Sequence, residues 1–424
     1  MKNAVSLFAS SGIGDLGLEK NGINVIVANE LLPERAALFS NNFPNTKMII
    51  GDIWEKEKEI INSYYSSVEE PPFVLMATPP CQGMSPNGMG KMLSDYRKGL
   101  RDKFDPRNQL IIPTINIAVA LQPKWIVFEN VPNMENTIIL DENDNPINII
   151  DYIFKRLDNY VGKAEVVNTA DYGIPQIRKR LITILTRTDE GKELFNSYKS
   201  FLPPATHSSS PNVLEKTWIT LRDAIGSLPV LDAVEGKNEA IWYHPLHRVS
   251  ILDKKKHLWI SNTNEGDSAF NNQCINPNCR YQENPRHGSK RVNGINKYNE
   301  DTPLYCEKCG QLLPRPYVEE KDGTLRTMKG YVSAYKRMSY DWPASTLTMN
   351  FPYVSSDNKV HPTQNRPLSI YEALVIQTIS DYKYEFKVNN QFVTDNTIIE
   401  SIGESVPPKL VDIIIQKIIN IKKK

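Results

Sequence analysis

Five short apolar runs punctuate the first third of the chain: Ala4 to Phe8, Asn24 to Ala28, Met48 to Ile50, Phe73 to Ala77 and Trp125 to Phe128. A turn follows each run, and most of the turns lead into apolar residues at helical spacing. This alternation predicts a parallel sheet with crossover helices, an α/β fold. Just beyond the carboxyl ends of the runs stand Gly12 and Gly14, Glu30, Asp52, Pro80 with Cys81, and Glu129 with Asn130. Open α/β sheets bind ligands outside the carboxyl ends of their strands, so these glycines, acids and one thiol are expected to converge on a single site.

A further strand-like pair is predicted from Val166 to Arg187 around Tyr172-Gly173-Ile174-Pro175, with Gln176, Arg178 and Arg180 alternating ahead of Leu181 to Ile184. Period-two spacing places those three side chains on the same face of a strand. After about Ser200 the texture changes to Pro203-Pro204, Ser208 to Pro211, scattered aromatic residues and most of the cysteines. Periodic segments return at Ala344 to Phe351 and Ser369 to Ile379, and Val406-Pro407-Pro408 introduces a last helix, Lys409 to Ile421. The expected organisation is a catalytic domain over residues 1–195, a smaller domain over 196–395, and a segment 396–424 that packs back on the first.

With 424 residues, 40% hydrophobic and 23% charged, the chain lies in the ordinary globular range and can bury a sizeable core. No apolar run approaches the roughly 18 residues of a membrane span, and the amino-terminal stretch reads as a first strand rather than an export signal. No membrane partner and a cytoplasmic location are expected. The net charge of +1 does not announce a nucleic-acid binder, so such a role must rest on local patches. Two exist: Lys91 to Arg107, with six basic and three acidic residues, and Cys279 to Asn299, where five basic residues face only Glu283. Either patch alone reads equally well as a solvated face.

The glycine turn after the first strand lets backbone approach a ligand, and Glu30 stands where an acid takes ribose hydroxyls. By itself this fits a nicotinamide site about as well, although Ser10 breaks the usual glycine spacing. Asp52 suits an adenine amino group or, equally, the N-cap of a helix before Trp54. The sharpest feature is Thr78-Pro79-Pro80-Cys81-Gln82-Gly83-Met84-Ser85, where two prolines stiffen the backbone ahead of a thiol at a strand end, as suits a positioned nucleophile. A solitary Cys is otherwise a small core residue. Glu129 is either an exposed turn acid or a carboxyl that keeps its proton in a cavity closed to water.

Phe8 to Gly17, Pro80-Cys81-Gln82, Glu129-Asn130-Val131, Gln176-x-Arg178-x-Arg180, Arg366-x-Leu368-Ser369-x-x-Glu372 and Gly403-x-Ser405-Val406-Pro407 occur in this order. In order and rough spacing they resemble the DNA cytosine-5 methyltransferases of bacterial restriction-modification systems. The resemblance covers both ends of the chain but not Pro203 to Tyr340, the position of that family's variable target-recognition region. It implies a doubly wound, Rossmann-like methyltransferase sheet and an S-adenosylmethionine-dependent reaction. Cys81 would attack carbon 6 of a cytosine flipped out of duplex DNA, Glu129 would contact ring nitrogen 3 and the amine, and carbon 5 would take the methyl group. Carried over by position, Phe8, Ser10, Gly12, Gly14, Glu30, Asp52, Ile53, Pro80 and Ser405 line the donor site. Arg180 meets the cytosine carbonyl oxygen, Arg178 braces the Cys81/Glu129 pair, and Gln82 and Ser85 lie on a loop that closes over DNA. Ser10 stands where the family commonly has Gly, and Glu404 where it commonly has Asn. The resemblance further implies a monomer acting on double-stranded DNA and leaves open a cognate restriction endonuclease for the same sequence, which this chain's residues do not reveal. The competing readings are an RNA cytosine methyltransferase with the same thiol chemistry and a DNA-binding regulator without turnover.

Cys274-x4-Cys279 and Cys306-x2-Cys309, with 26 residues between the pairs, form two knuckles suited to a closed structural zinc site in a zinc-ribbon-like module. An iron centre or four unrelated thiols are the alternatives. Arg286, Lys290 and Arg291 lie inside the loop such a metal would close and are candidate DNA contacts, with Tyr281, His287 and Tyr298 interleaved.

Overall fold

The structure, a computed structural model, describes residues 2–80, 105–292, 295–298, 302–328 and 332–421, the side chains of 289–298 excepted. The five apolar runs form parallel strands β1 (Lys2–Leu7), β2 (Ile23–Glu30), β3 (Lys47–Ile50), β4 (Val74–Ala77) and β5 (Trp125–Asn130). Two more, β6 (Val161–Asn168) and β7 (Lys179–Thr186), complete a sheet of order β3-β2-β1-β4-β5-β7-β6, with β7 antiparallel to both neighbours. The chain leaves β1 in one direction and returns to its other side with β4, so a crevice opens between their carboxyl ends.

Near-continuous burial of the central strands follows from covering both faces, as parallel sheets require. Val5, Leu7, Leu75, Ala77, Ile126 and Phe128 share a core with Ile60 and Tyr64 of α1 (Ile53–Ser67) and with Ile115 and Ala118 of α2 (Ile111–Leu121). Their neighbours in sequence, Ala4, Val74, Met76, Trp125 and Val127, point the other way. They pack with Leu410, Val411, Ile414 and Ile418 of the final helix, Pro408–Ile419. That helix is where the sequence placed one, and Asn21 ties it to the first crossover by donating to the Asp412 carboxylate at 2.7 Å.

Residues 200–345 hold few regular elements. Their packing includes a core shared with Ile13 and Leu38 of the sheet region, a cluster around Trp259, Phe270 and Tyr335, and small ones around Leu231, Ala233, Ala240 and Val249 and around Cys274, Cys306 and Leu313. In the segment Ala344 to Phe351 only Ala344–Ser345 is a strand, paired in parallel with Gln176–Ile177. Among the described residues no helix is long and apolar enough to cross a membrane.

The Arg366-x-Leu368-Ser369-x-x-Glu372 stretch is structural. Ser369 and Glu372 form a capping box on the helix Ile370–Ile376, and the buried Arg366 guanidinium donates to both Glu372 oxygens at 2.7 Å. Although burial opposes ionisation, the Arg366 charge and its hydrogen bonds hold the Glu372 carboxyl down at about 2. Replacing Glu372 by Gln leaves a buried guanidinium without its counter-charge and should cost about 3–5 kcal/mol, read from denaturant midpoints. Because the folded carboxyl lies below its ordinary value, the pair's contribution is full above pH about 4.5 and is lost as pH falls toward about 2. Equal acid sensitivity of wild type and Glu372→Gln across that window would contradict this account.

Candidate active site

The turn after β1 takes left-handed backbone at Phe8 (φ 55°), Ser10 (φ 48°) and Gly12 (φ 84°). At Gly12 a Cβ would also come within 2.6 Å of the Phe43 ring and 2.8 Å of Phe39. The frequent Gly at the position of Ser10 thus has a conformational reason, and the backbone N–H of Ser10, which any residue there except proline would supply, donates to Glu30 Oε2 at 2.8 Å. The second oxygen, Glu30 Oε1, accepts from Leu32 N at 2.9 Å, so this buried carboxylate fastens the β1 turn to the end of β2. Asp52 is the N-cap of α1, accepting from Trp54 N at 3.0 Å, which is the simpler of its two readings; Ile53 behind it is buried.

Two side chains fix the strand-end segment leading to the thiol. Thr78 Oγ1 donates to Phe8 O at 3.0 Å, and Asn130 Nδ2 to Pro79 O at 3.1 Å. The Asn of Glu129-Asn130-Val131 is thereby explained: it ties the end of β5 to the Pro-Pro segment after β4. Pro80 is half-buried; Cys81, Gln82 and Ser85, with most of the Lys91 to Arg107 patch, lie outside the described residues.

Glu129, at the end of β5, is buried and pairs with Arg180 of β7, Nε to Oε1 at 2.8 Å. Burial pushes its carboxyl up from the ordinary value, against the opposing charges of Arg180 and then Arg178. The Gln176-x-Arg178-x-Arg180 stretch is not one continuous strand as its spacing suggested. Gln176–Ile177 pairs outside the main sheet, and β7 begins only at Lys179. The three side chains accordingly serve different ends. Gln176 bonds Gln377 at 2.6 Å and Leu347 N at 2.8 Å, and the fully buried Arg178 donates to the carbonyls of Leu347, Gly403 and Ser405. Arg178 acts on Glu129 through its charge, while its hydrogen bonds draw the chain's last segments against the sheet.

A small pocket in the crevice is lined by Ser10, Gly14, Asp15, Thr78, Glu404 and Ser405, among others. Ser405, placed beside the donor by resemblance, is thus at its wall. The sequence reading missed Asp15 and Arg35. Arg35 lies within 2.6 Å of Glu404 and 3.1 Å of Glu400, which supplies the counter-charge for the acid that stands in place of the common Asn. An ion pair across 369 residues left no sequence signal.

In the smaller region the sulfur atoms of Cys274, Cys279, Cys306 and Cys309 all lie within 4.8 Å of one another. Cys274 and Cys309 are 3.6 Å apart and Cys279 and Cys306 3.9 Å, far beyond a disulfide. Each knuckle closes on a left-handed residue, Arg280 (φ 48°) after Cys279 and Gly310 (φ 72°) after Cys309. Backbone strands Ser289–Val292 and Ile295–Tyr298 form a hairpin in the loop between the knuckles, which carries Lys290 and Arg291; their side chains lie outside the described set. Arg286 is exposed and 3.6 Å from Asp267. His287 is instead buried, stacked on Phe270 and bonded to Thr302 at 2.6 Å, so it belongs to the module's interior.

The family model described as C-5 cytosine-specific DNA methylase matches residues 2–420. The type II methyltransferase M1.HgaI of Avibacterium volantium is 31% identical over 428 residues, covering 98% of each chain. The type II methyltransferase M.DdeI of Desulfomicrobium norvegicum is 25% identical over 98% of this chain and 88% of its own. The crystal structure of an E. coli prophage protein described as a DNA modification methyltransferase shares the fold, with a TM-score of 0.58 at 18% identity over 99% of both chains.

In Arg180→Ala the Glu129 carboxyl should titrate still higher, because the nearest charge favouring its ionised form is gone. Carbon-detected NMR titration of labelled glutamate measures this; an unmoved or lowered midpoint would show that Arg180 does not set the carboxyl's ionisation.

Proposed function

The chain belongs to the C-5 cytosine-specific DNA methylases, and from that premise we propose that it transfers a methyl group from S-adenosylmethionine to carbon 5 of a flipped-out cytosine in double-stranded DNA, through a covalent bond to Cys81. The observation that supports this most is the buried Glu129–Arg180 pair at the end of β5, tied through Asn130 to the Pro79-Pro80 segment that delivers Cys81. Carbon 5 of cytosine is a poor nucleophile. Attack of the Cys81 thiolate on carbon 6 moves the electron pair of the 5,6 double bond onto carbon 5. Glu129, held toward its protonated form by burial, donates to ring nitrogen 3, and Arg180 offers further N–H groups to the carbonyl oxygen. S-adenosylmethionine, when bound, supplies an electrophilic methyl group. Loss of the carbon 5 proton to a base restores the double bond and expels the thiolate.

Donor contacts are assigned to the turn of Phe8, Ser10, Gly12 and Gly14, to Glu30, Asp52, Ile53 and Pro80, and to Ser405 at the pocket wall. The catalytic part comprises residues 1–195 with 396–424, and 196–395 read the target. The protein acts as a monomer, and the type II designation of its relatives supports a cognate endonuclease for the same sequence.

In the target region the thiol cluster fits zinc. At about 2.3 Å per Zn–S bond a tetrahedral site spaces its sulfurs by about 3.8 Å, against the 3.6 and 3.9 Å separations observed. Cys274, Cys279, Cys306 and Cys309 would hold the ion with no open position, so its part is to shape the module that presents Arg286, Lys290 and Arg291.

Cys81→Ala should abolish transfer of labelled methyl groups to duplex DNA, and wild type should form a stable adduct with DNA carrying 5-fluorocytosine at its target. Labelling of RNA in place of DNA, or full activity without the thiol, would overturn the assignment. The purified protein should carry one zinc ion per chain, and Cys306→Ser should lose it together with DNA affinity while keeping donor affinity. Replacing Arg286, Lys290 and Arg291 together by Ala should lower DNA affinity and reduce the salt slope by about one per lost phosphate contact; unchanged affinity at physiological salt would remove the hairpin from the interface.

A further inference from the structure

Two carboxylates, Asp15 and Glu404, line the crevice pocket and a third, Glu30, is bonded to the turn beside it; their partners differ. Both oxygens of Glu30 accept backbone N–H groups, from Ser10 and Leu32. Glu404 is neutralised by Arg35. Asp15 alone among the three has neither arrangement. It is only 2% exposed and lines the pocket, and its Oδ1 has no hydrogen-bond partner among the described residues. It sits at the N-cap of the helix Leu16–Lys20 without using its side chain to cap it. The hydroxyls of Ser10 and Ser11, also at the pocket, are buried and unpartnered as well. Buried polar atoms are almost always satisfied, so a cluster of three such atoms around one cavity marks a place for a ligand that brings donors.

We propose that Asp15 receives the α-ammonium group of the methyl donor's amino-acid end, with Ser10 and Ser11 beside it. This rests on the assignment of the pocket to S-adenosylmethionine and adds the residue that recognises its cation. The free protein pushes the Asp15 carboxyl up to about 7, chiefly by burial, against a hydrogen bond from Ser6. The titratable groups of the surrounding elements do not supply the missing positive charge. Tyr384 donates its hydroxyl to Ser11 O, Asp412 is engaged by Asn21 and Tyr382, and Glu30 and Glu404 are held as described. An incoming ammonium would favour the carboxylate, so the portion of Asp15 that is protonated gives its proton to solvent when the donor binds.

Calorimetric titration of the full chain with S-adenosylhomocysteine and with its analogue lacking the α-amino group tests this, in buffers of differing ionisation enthalpy. Wild type should prefer the amine-bearing ligand by about 10- to 100-fold, the range of a charge-assisted hydrogen bond, and should release about half a proton per bound ligand near pH 7. Asp15→Asn should bind both ligands with nearly the same affinity and release no proton. Should that variant fail to fold, the ligand preference and proton release of the wild type decide alone. Equal affinities with no proton release would overturn the role of Asp15 while leaving the donor site intact; failure of S-adenosylhomocysteine to bind at all would overturn the donor site itself.

Discussion

A single buried guanidinium holds the two ends of this chain in register. Arg178 is enclosed almost completely and donates to the carbonyls of Leu347, Gly403 and Ser405, three groups that no strand or helix satisfies there. An arginine can do this because its N–H groups form a fixed, planar fork and its charge is diffuse. Close approach on the other side depends on Gly403, where a Cβ would fall 2.3 Å from Met349 N. With these contacts in place Ser405 reaches the pocket wall, and the interruption of the strand at Arg178 lets Arg180 enter β7 facing Glu129.

The electrostatics of the site follow from that arrangement. Glu129 sits at the end of a strand buried along its whole length, where solvent cannot stabilise its anion, and its partners are two arginines held by other contacts. Burial and the arginines pull its ionisation in opposite directions, which suits the proton-donating role proposed for it. Asn130, next along the chain, turns back to hold Pro79, so the acid and the segment ahead of Cys81 are fixed by adjacent residues.

The region beyond the sheet uses the same device more than once. Arg315 donates to the carbonyls of Asn272, Pro285 and Pro303, and Arg337 to those of Thr263, Ile260, His361 and Gln364. Burial lowers both guanidinium groups to about 10. Where few strands or helices exist, loops bury carbonyls that have no ladder partner, and a buried arginine satisfies several at once. The four clustered thiols lie in the same irregular region.

Local pattern was enough to place the five parallel strands, the final helix and the two cysteine knuckles, because side-chain periodicity and short ligand spacing are written within a few residues. The Pro-Cys and Glu-Asn-Val stretches could be found for the same reason. Spacing misled at Gln176, Arg178 and Arg180, since a two-residue period says nothing about a strand that breaks and changes partner. Asp52 had two readings, and its hydrogen bond from Trp54 N establishes the capping one while engaging only one of its oxygens. Asp15 and the pairing of Arg35 with Glu404 were invisible, as both depend on which distant segments meet at the pocket. The sequence by itself determined where the parallel strands run and which glycines, acids and prolines stand at their carboxyl ends; tertiary structure alone decided which charges are paired, because desolvation and counter-charge depend on every neighbour brought in by the fold.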